Sequence, residues 1–507
     1  MDIITLLTFI VYLVGMLVIG LIMYRRTQDL SDYVLGGRKL GPAVAALSAG
    51  ASDMSGWLIL GLPGAIYASG FGEAWMAIGL AIGAYLNWQF IAKRLRVYTE
   101  VSDNAITIPD YFGNRFKDQS NILRVVSAIV ILLFFTFYTS SGMVAGAKLF
   151  ESSFGFSYNT ALWIGTIVVV SYTLLGGFLA VSWTDFFQGC LMLLALIVVP
   201  IVAFYEIGGW NEAVQMVGKI NPRHLSMLHG VGLLAIISSL AWGLGYFGQP
   251  HIIVRFMALK SIKDVPKARF IGMTWMILGL YGAIFTGLFG LAFISSQDVS
   301  MLTSMGINVV SENGIQVLED PEKIFIAFSQ ILFNPFVSGI LLAAILAAIM
   351  STIDSQLLVS SSAVAEDLYK AIFRREATDK ELITVGRIAT LAIAIIAAII
   401  AINPDSSVLE LVSYAWAGFG ASFGPIILLS LFWRRITRNG ALAGIITGAL
   451  TVIIWGDFLS GGIFDLYEIL PGFLLNTMVT VVVSLMGSQS VEINQEFDET
   501  LEKLKNG

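Results

Sequence analysis

The sequence predicts an all-α polytopic membrane protein with about 13 transmembrane helices, its N-terminus outside and its C-terminus inside. Three observations predict this. Of 507 residues 57% are hydrophobic and only 13% charged, against roughly 45–50% and about 25% in a soluble domain, so the charges are too few to cover a water-exposed surface. The apolar residues are gathered in runs of about 20, the length that crosses a bilayer as a helix, without the two-residue alternation of a membrane barrel. All but four of the 29 Lys and Arg (Lys148, Lys219, Arg223 and Lys323) fall on one side when the runs alternate direction, the asymmetry expected of cytoplasmic loops.

The runs lie near 4–24, 43–68, 74–92, 124–148, 160–180, 184–207, 231–254, 271–296, 332–360, 387–403, 408–431, 441–459 and 466–486. The first is not expected to be a cleaved leader, because Arg25 and Arg26 follow its apolar stretch instead of preceding it. The last twenty or so residues read as an acidic helical tail. Cys190 is the one cysteine, which excludes a disulfide framework, and the three histidines lack metal-ligand spacing. No nucleophile elbow, phosphate-cradling loop or basic nucleic-acid surface is present, so nothing points to an enzyme.

Two runs break the rules of a continuous helix. The second contains Ser48-Ala49-Gly50-Ala51-Ser52-Asp53-Met54-Ser55-Gly56-Trp57. A carboxylate there costs at least about 2.5 kcal/mol at mid-membrane. A packing face whose serines satisfy Asp53 is the plain reading; a cation or substrate site at an unwound stretch is the favoured one. The seventh contains Trp242-Gly243-Leu244-Gly245-Tyr246-Phe247-Gly248-Gln249-Pro250-His251. Three glycines and a proline disfavour a continuous helix, and non-helical backbone at membrane depth persists only where it lines a cavity or is buried in protein. A simple kink is the alternative. The two breaks are five runs apart. Because five is odd, the second half must enter the membrane in the opposite sense, the signature of an inverted 5+5 repeat transporter. The expected organisation is an extra helix and loop (1–42), two repeats (43–230 and 231–431), two further helices (432–486) and the acidic cytoplasmic tail (487–507).

The ninth run carries Ser351, Thr352, Asp354 and Ser355. Ser351, Asp354 and Ser355 share one helix face, and hydroxyls with a carboxylate are hard oxygen donors suited to a cation such as sodium. Serines bonded back to their own helix are the alternative. Asp185, near the start of the sixth run, reads alone as a helix N-terminal acid.

At these residues the chain resembles the sodium/solute symporter family, and within it the bacterial proline-transporting branch. The likeness runs from about residue 5 to 486. It is carried by LGGRKLGP (35–42), SAGASDMSGW (48–57), GGFLAVSWTD (176–185), WGLGYFGQPH (242–251), ILAAIMST (345–352) and LVSYAWAGFGASFGP (411–425). The resemblance implies the leucine-transporter-type fold and import of L-proline coupled to sodium influx across the bacterial cell membrane. It implies sodium held by Ala51, Met54, Ala348, Ser351 and Thr352, and a substrate pocket of Gly56, Trp57, Tyr138, Trp242, Tyr246 and Pro250. Asp53 and Ser55 match positions tied to sodium use. Asp185, Asp354 and Ser355 are candidates for a second cation site, a local hydrogen bond of Asp354 being the alternative and one sodium the expected stoichiometry, and Arg38 for a cytoplasmic coupling position. No cofactor beyond the coupling ion and no obligate protein partner is implied. Other readings are a symporter of this family for pantothenate or a short carboxylate, and a channel or sensor on the same fold.

Overall fold

The structure, a computed structural model, describes residues 3–24, 30–174, 177–312 and 314–506. Arg25 and Arg26 of the charge pattern and Gly176 of the 176–185 motif lie outside the described residues. Helices follow one another along the chain: α1 Ile3–Tyr24, α2 Leu30–Leu35, α3 Pro42–Asp53, α4 Leu62–Ser69, α5 Ala74–Leu86, α6 Ala92–Val101, α7 Ile108–Arg115, α8 Ile122–Phe154, α9 Tyr158–Thr173, α10 Phe178–Ile207 and α11 Trp210–Ile220. After these come α12 Leu233–Ala241, α13 Pro250–Met257, α14 Val265–Ser295, α15 Val299–Ser304, α16 Ile324–Ile331, α17 Pro335–Ser362, α18 Asp379–Ile400, α19 Val408–Phe432, α20 Arg438–Phe458, α21 Ile469–Met486 and α22 Val491–Asn506. A hairpin of β1 Val309–Glu312 and β2 Ile315–Leu318, paired antiparallel with Val309 opposite Leu318, lies between α15 and α16.

Helix starts follow the sequence. Pro42, Pro250 and Pro335 each stand at the first turn, where a missing N–H costs nothing. Side chains of Asn334, Thr378 and Ser407 cap α17, α18 and α19 by accepting from a backbone N–H.

Among the described residues ten helices are long and apolar enough to cross a bilayer. Thirteen runs are predicted, and the difference has a physical cause. The runs at 43–68 and 231–254 are each divided by a break, and the one at 160–180 is the 16-residue α9. Past its break the first of these continues as one apolar stretch, Trp57–Val101, into the predicted third run. α14, α17 and α19 bury 78–83% of their most apolar stretch, whereas α1, α20 and α21, outside the expected repeats, bury 22–33%. The chain is therefore a bundle with a dry helical centre and a rim of helices whose exposed Leu, Ile and Val side chains suit lipid.

Candidate functional site

The two breaks meet at the centre of the bundle. α3 ends at Asp53, Met54 leaves helical geometry (φ −82°, ψ 76°), and the chain resumes in a wide π turn over Trp57–Gly61. A Cβ on Gly56 would stand 2.7 Å from Ala145 of α8, so only glycine permits this approach. The Asp53 carbonyl, freed by the break, accepts from Ser55 N (2.9 Å), Trp57 Nε1 (3.0 Å) and Tyr138 OH (3.1 Å). Ser55 Oγ in turn accepts from Trp57 N at 3.3 Å.

Between α12 and α13 the chain tightens into a 3-10 turn over Trp242–Phe247, and Pro250 restarts the helix. Tyr246 OH donates to Asp53 Oδ2 at 2.5 Å, joining the two breaks directly, while Asp53 Oδ1 finds no partner among the described residues. The Trp57 and Trp242 rings are 6.4 Å apart, and all four predicted aromatics, Trp57, Tyr138, Trp242 and Tyr246, are buried. The seventh run is thus a true interruption with aromatic walls, not a kink.

Residues absent from the expected set hold this segment. Trp416 of α19 donates from Nε1 to Trp242 O (2.8 Å) and packs its ring on both Trp242 and Tyr246. Gln249 Nε2 donates to Trp416 O (3.1 Å), and Asn87 Nδ2 to Tyr246 O (2.9 Å). Asn87 was legible as one of two amides, with Gln89, in an otherwise apolar run, and Trp416 lies inside a quoted motif.

Beside the first break, α17 brings hydroxyls to carbonyls. Ser351 Oγ donates to Ala51 O (2.8 Å) and reaches Ala348 O (3.2 Å); Thr352 Oγ1 lies 3.2 Å from both carbonyls. Hard cations hold oxygens about 2.3–2.6 Å away, so neighbouring oxygens of a compact shell sit on the order of 3 Å apart. The spacing of these four oxygens fits that shell once the hydroxyls turn their lone pairs inward. The ninth-run hydroxyls therefore bond across to α3 as well as back to their own helix. Met54, the fifth expected ligand, stands at the end of α3 with its N–H on Gly50 O.

A second polar cluster lies next to it, and here the sequence reading needs correction. α10 begins at Phe178, so Asp185 is two turns inside the helix and fully buried, not an N-terminal acid. Arg255, counted with the basic loops, is wholly buried in α13. Its Nη2 pairs with Asp185 Oδ2 (3.2 Å) and donates to Ser355 Oγ (2.6 Å), and its Nε donates to Ser48 Oγ (3.0 Å). Ser48 Oγ donates to Asp185 Oδ2 at 2.7 Å. Asp354 is wholly buried in α17 beside Ser355, within electrostatic reach of Asp185 and Arg255.

Both ends of the centre are closed. At one end the Glu322 carboxylate accepts from Ser407 Oγ and from Val408 N and Leu409 N at the start of α19, and pairs with Lys148 of α8 (2.7 Å). An anion on these free N–H groups is favoured by the helix dipole. At the other end Arg38 donates to Asn104 Oδ1 (2.9 Å), Thr99 Oγ1 (3.1 Å), Ala105 O (2.8 Å) and Met257 O (2.7 Å). Burial pushes the Arg38 guanidinium down to about 10, the Arg96 charge acting the same way, which leaves it cationic near neutrality. Leu40 and Leu259 pair backbone to backbone alongside.

Paired broken helices around a buried polar centre, closed at both ends, define a secondary transporter with inverted repeats. The sodium:solute symporter family matches residues 33–448, and the chain belongs to that family. It is 54% identical over 491 residues to a sodium/proline symporter of Salmonella typhimurium, covering 97% of this chain and 95% of that one. It is 54% identical to the high-affinity proline transporter PutP of Bacillus subtilis (96% and 98% covered), and 52% identical to the osmoregulated proline transporter OpuE of that organism (97% of each). Among solved structures a sodium-coupled sialic acid symporter in a substrate-bound outward-open state superposes with a TM-score of 0.78 at 18% identity, covering 96% of this chain and 99% of that one. The fold is the leucine-transporter type.

Proposed function

We propose that this chain is a secondary active transporter that imports L-proline together with sodium by alternating access. The observation that carries the reading is near-full-length identity above 50% to sodium/proline and proline transporters. Sodium binds between α3 and α17 on the carbonyls of Ala51, Met54 and Ala348 and the hydroxyls of Ser351 and Thr352. The short oxygen spacings there support this placement. L-Proline sits where the two breaks face each other, its ring against Trp57, Trp242 and Tyr246, with Gly56, Tyr138 and Pro250 completing the pocket.

Asp53 couples the two ligands in this scheme. Its carbonyl is tied to Trp57 and Tyr138 and its carboxylate to Tyr246, two residues from the Ala51 carbonyl. Ordering α3 around sodium therefore orders the aromatic pocket, and each ligand raises the other's affinity by the same factor. Ser55 supports the same turn through Trp57 N.

Asp185, Asp354 and Ser355 support a second cation position. With Arg255 the cluster holds two carboxylates and one guanidinium, an excess negative charge that a buried site compensates with a cation. The repeats at 43–230 and 231–431 move against each other, releasing the Glu322–Lys148 contact on the outside and the Arg38–Met257 contact on the inside in turn. The membrane potential adds about 2.3 kcal/mol per charge per 100 mV to the sodium gradient. Uptake of labelled L-proline by proteoliposomes tests the reading: a sodium gradient is expected to drive accumulation, and equal uptake without sodium would overturn it. Excess pantothenate or short carboxylates are expected to leave that uptake unchanged.

A further inference from the structure

The last helix, α22, has a role of its own. Ile493, Phe497, Thr500 and Leu501 recur at helical spacing, and the first three are buried. Phe497 packs on Tyr98 of α6 (ring centroids 6.2 Å), and the Arg115 guanidinium of α7 lies over both rings, 4.9 Å from Tyr98 and 5.9 Å from Phe497. Glu496 pairs with Lys117 and accepts from Ser102 Oγ (3.4 Å). On the other flank Arg434 donates to Asn494 Oδ1 (3.0 Å) and pairs with Asp498 (2.7 Å). The helix therefore ties the segment after α6 to the turn after α19.

The segment so gripped, 102–117, contains two of the four partners of Arg38: Asn104 and Ala105 accept from it on one side, while Met257, the last residue of α13, accepts on the other. Asn114 Nδ2 donates to Ser102 O (3.4 Å), joining the ends of the segment. Its backbone is held in an unusual conformation. Lys117 has φ of 51° and Arg38 itself 53°, in the left-handed region disfavoured for residues with a long side chain, and Asp103 and Asn104, of the types that best tolerate it, adopt it too at 54° and 51°. Strain of this kind persists only where surrounding contacts over-determine the backbone. Phe497 and Glu496 supply such contacts.

We propose that α22 is a cytoplasmic strap on the inner gate. It holds the 102–117 segment in its strained form and so keeps Arg38 seated on Met257. The inner side opens when the strap loosens. Phe497 and Glu496 are positioning residues: they act on the gate through the segment and touch no ligand. Cytoplasmic salt tunes the strap, because the side chains of Lys117–Glu496 (30% and 17% exposed) and Arg434–Asp498 (52% and 55% exposed) reach solvent, where ions screen them. This rests on the reading of the Arg38–Met257 contact as the inner gate.

The test uses the full chain in a Cys190→Ser background with Ala258→Cys, a buried position next to Met257, as reporter. An impermeant maleimide is applied from the cytoplasmic side in the absence of substrate. Glu496→Gln combined with Asp498→Asn is expected to speed labelling about fivefold, the change two partly exposed ion pairs carry between them. Phe497→Ala is expected to speed it further, and raising salt on the cytoplasmic side is expected to speed the parent but not the Glu496→Gln/Asp498→Asn protein. Arg38→Gln separates the two readings. If Arg38→Gln accelerates labelling while neither α22 variant does, the strap is refuted and the gate stands. If Arg38→Gln itself leaves labelling unchanged, the gate reading falls and the strap with it.

Discussion

Replacing Arg255 by Gln tests whether the buried cluster beside α17 is held by charge balance. Arg255 is wholly buried and bonds Asp185, Ser48 and Ser355 from one guanidinium. With Asp354 close by, the native cluster carries two carboxylates and one cation. Arg255→Gln leaves two buried carboxylates with no counter-charge, and removing one member of a buried pair costs about 3–5 kcal/mol. Asp185→Asn should cost less: the amide keeps its bond with Ser48, and Asp354 still faces Arg255, so the loss is a charged hydrogen bond of about 1.5–3 kcal/mol. In the double variant the cluster again carries a single excess negative charge, and the two changes should fall short of additive by about 1–3 kcal/mol. The assay is thermal unfolding of the four purified proteins in sodium-free detergent buffer. The expected order of unfolding midpoints is native, Asp185→Asn, then Arg255→Gln, with the double variant higher than the sum of the two single losses would place it. Arg255→Gln as stable as Asp185→Asn, or strict additivity, would refute the charge count.

Ser351→Ala with Thr352→Ala removes two of the four close oxygens and is expected to raise the sodium concentration for half-maximal proline uptake at least about tenfold, some 1.4 kcal/mol. An unchanged sodium curve would remove α17 from the site. Asp354→Asn is expected to bring the Hill coefficient for sodium from above one to near one, and superimposable sodium curves would deny it a cation. Gly245→Ala places a Cβ 1.9 Å from Trp416 Nε1, and membrane-inserted protein and uptake should both fall, whereas Gly15→Ala, with nothing within 4 Å, should change neither. Immunoblots alongside uptake separate these, and a fully active Gly245→Ala would show that Trp416 is free to move.

Much of the centre was legible because its features are local. Gly243, Gly245, Gly248 and Pro250 declare an interruption in any context, since they remove helix stability and a backbone donor. Asp53 among small residues marks an intramembrane polar site for the same kind of reason. Arg255 was misread by the same logic. It follows an apolar run directly, and hydropathy cannot tell a loop arginine from one whose counter-charge comes from another helix. Asp185 was misread because its helix begins six residues earlier than the apolar run suggests. Of the ninth-run hydroxyls, Ser351 and Thr352 bond back to their own helix and also across to Ala51, while Ser355 accepts from Arg255; spacing along one helix shows only the first of these contacts.

Composition and spacing alone were enough for the membrane class, the two breaks and the oxygen-rich face of α17. Each follows from composition or spacing within about 20 residues, the range over which burial in lipid and helix periodicity act. The pairings came from packing: Ser351 on Ala51 across 300 residues, Arg255 on Ser48 across 207 and on Asp185 across 70, Trp416 on Trp242 across 174, and Glu496 on Ser102 across 394. A buried polar group must find a partner, but which partner is set by how helices pack, and packing is a property of the whole chain.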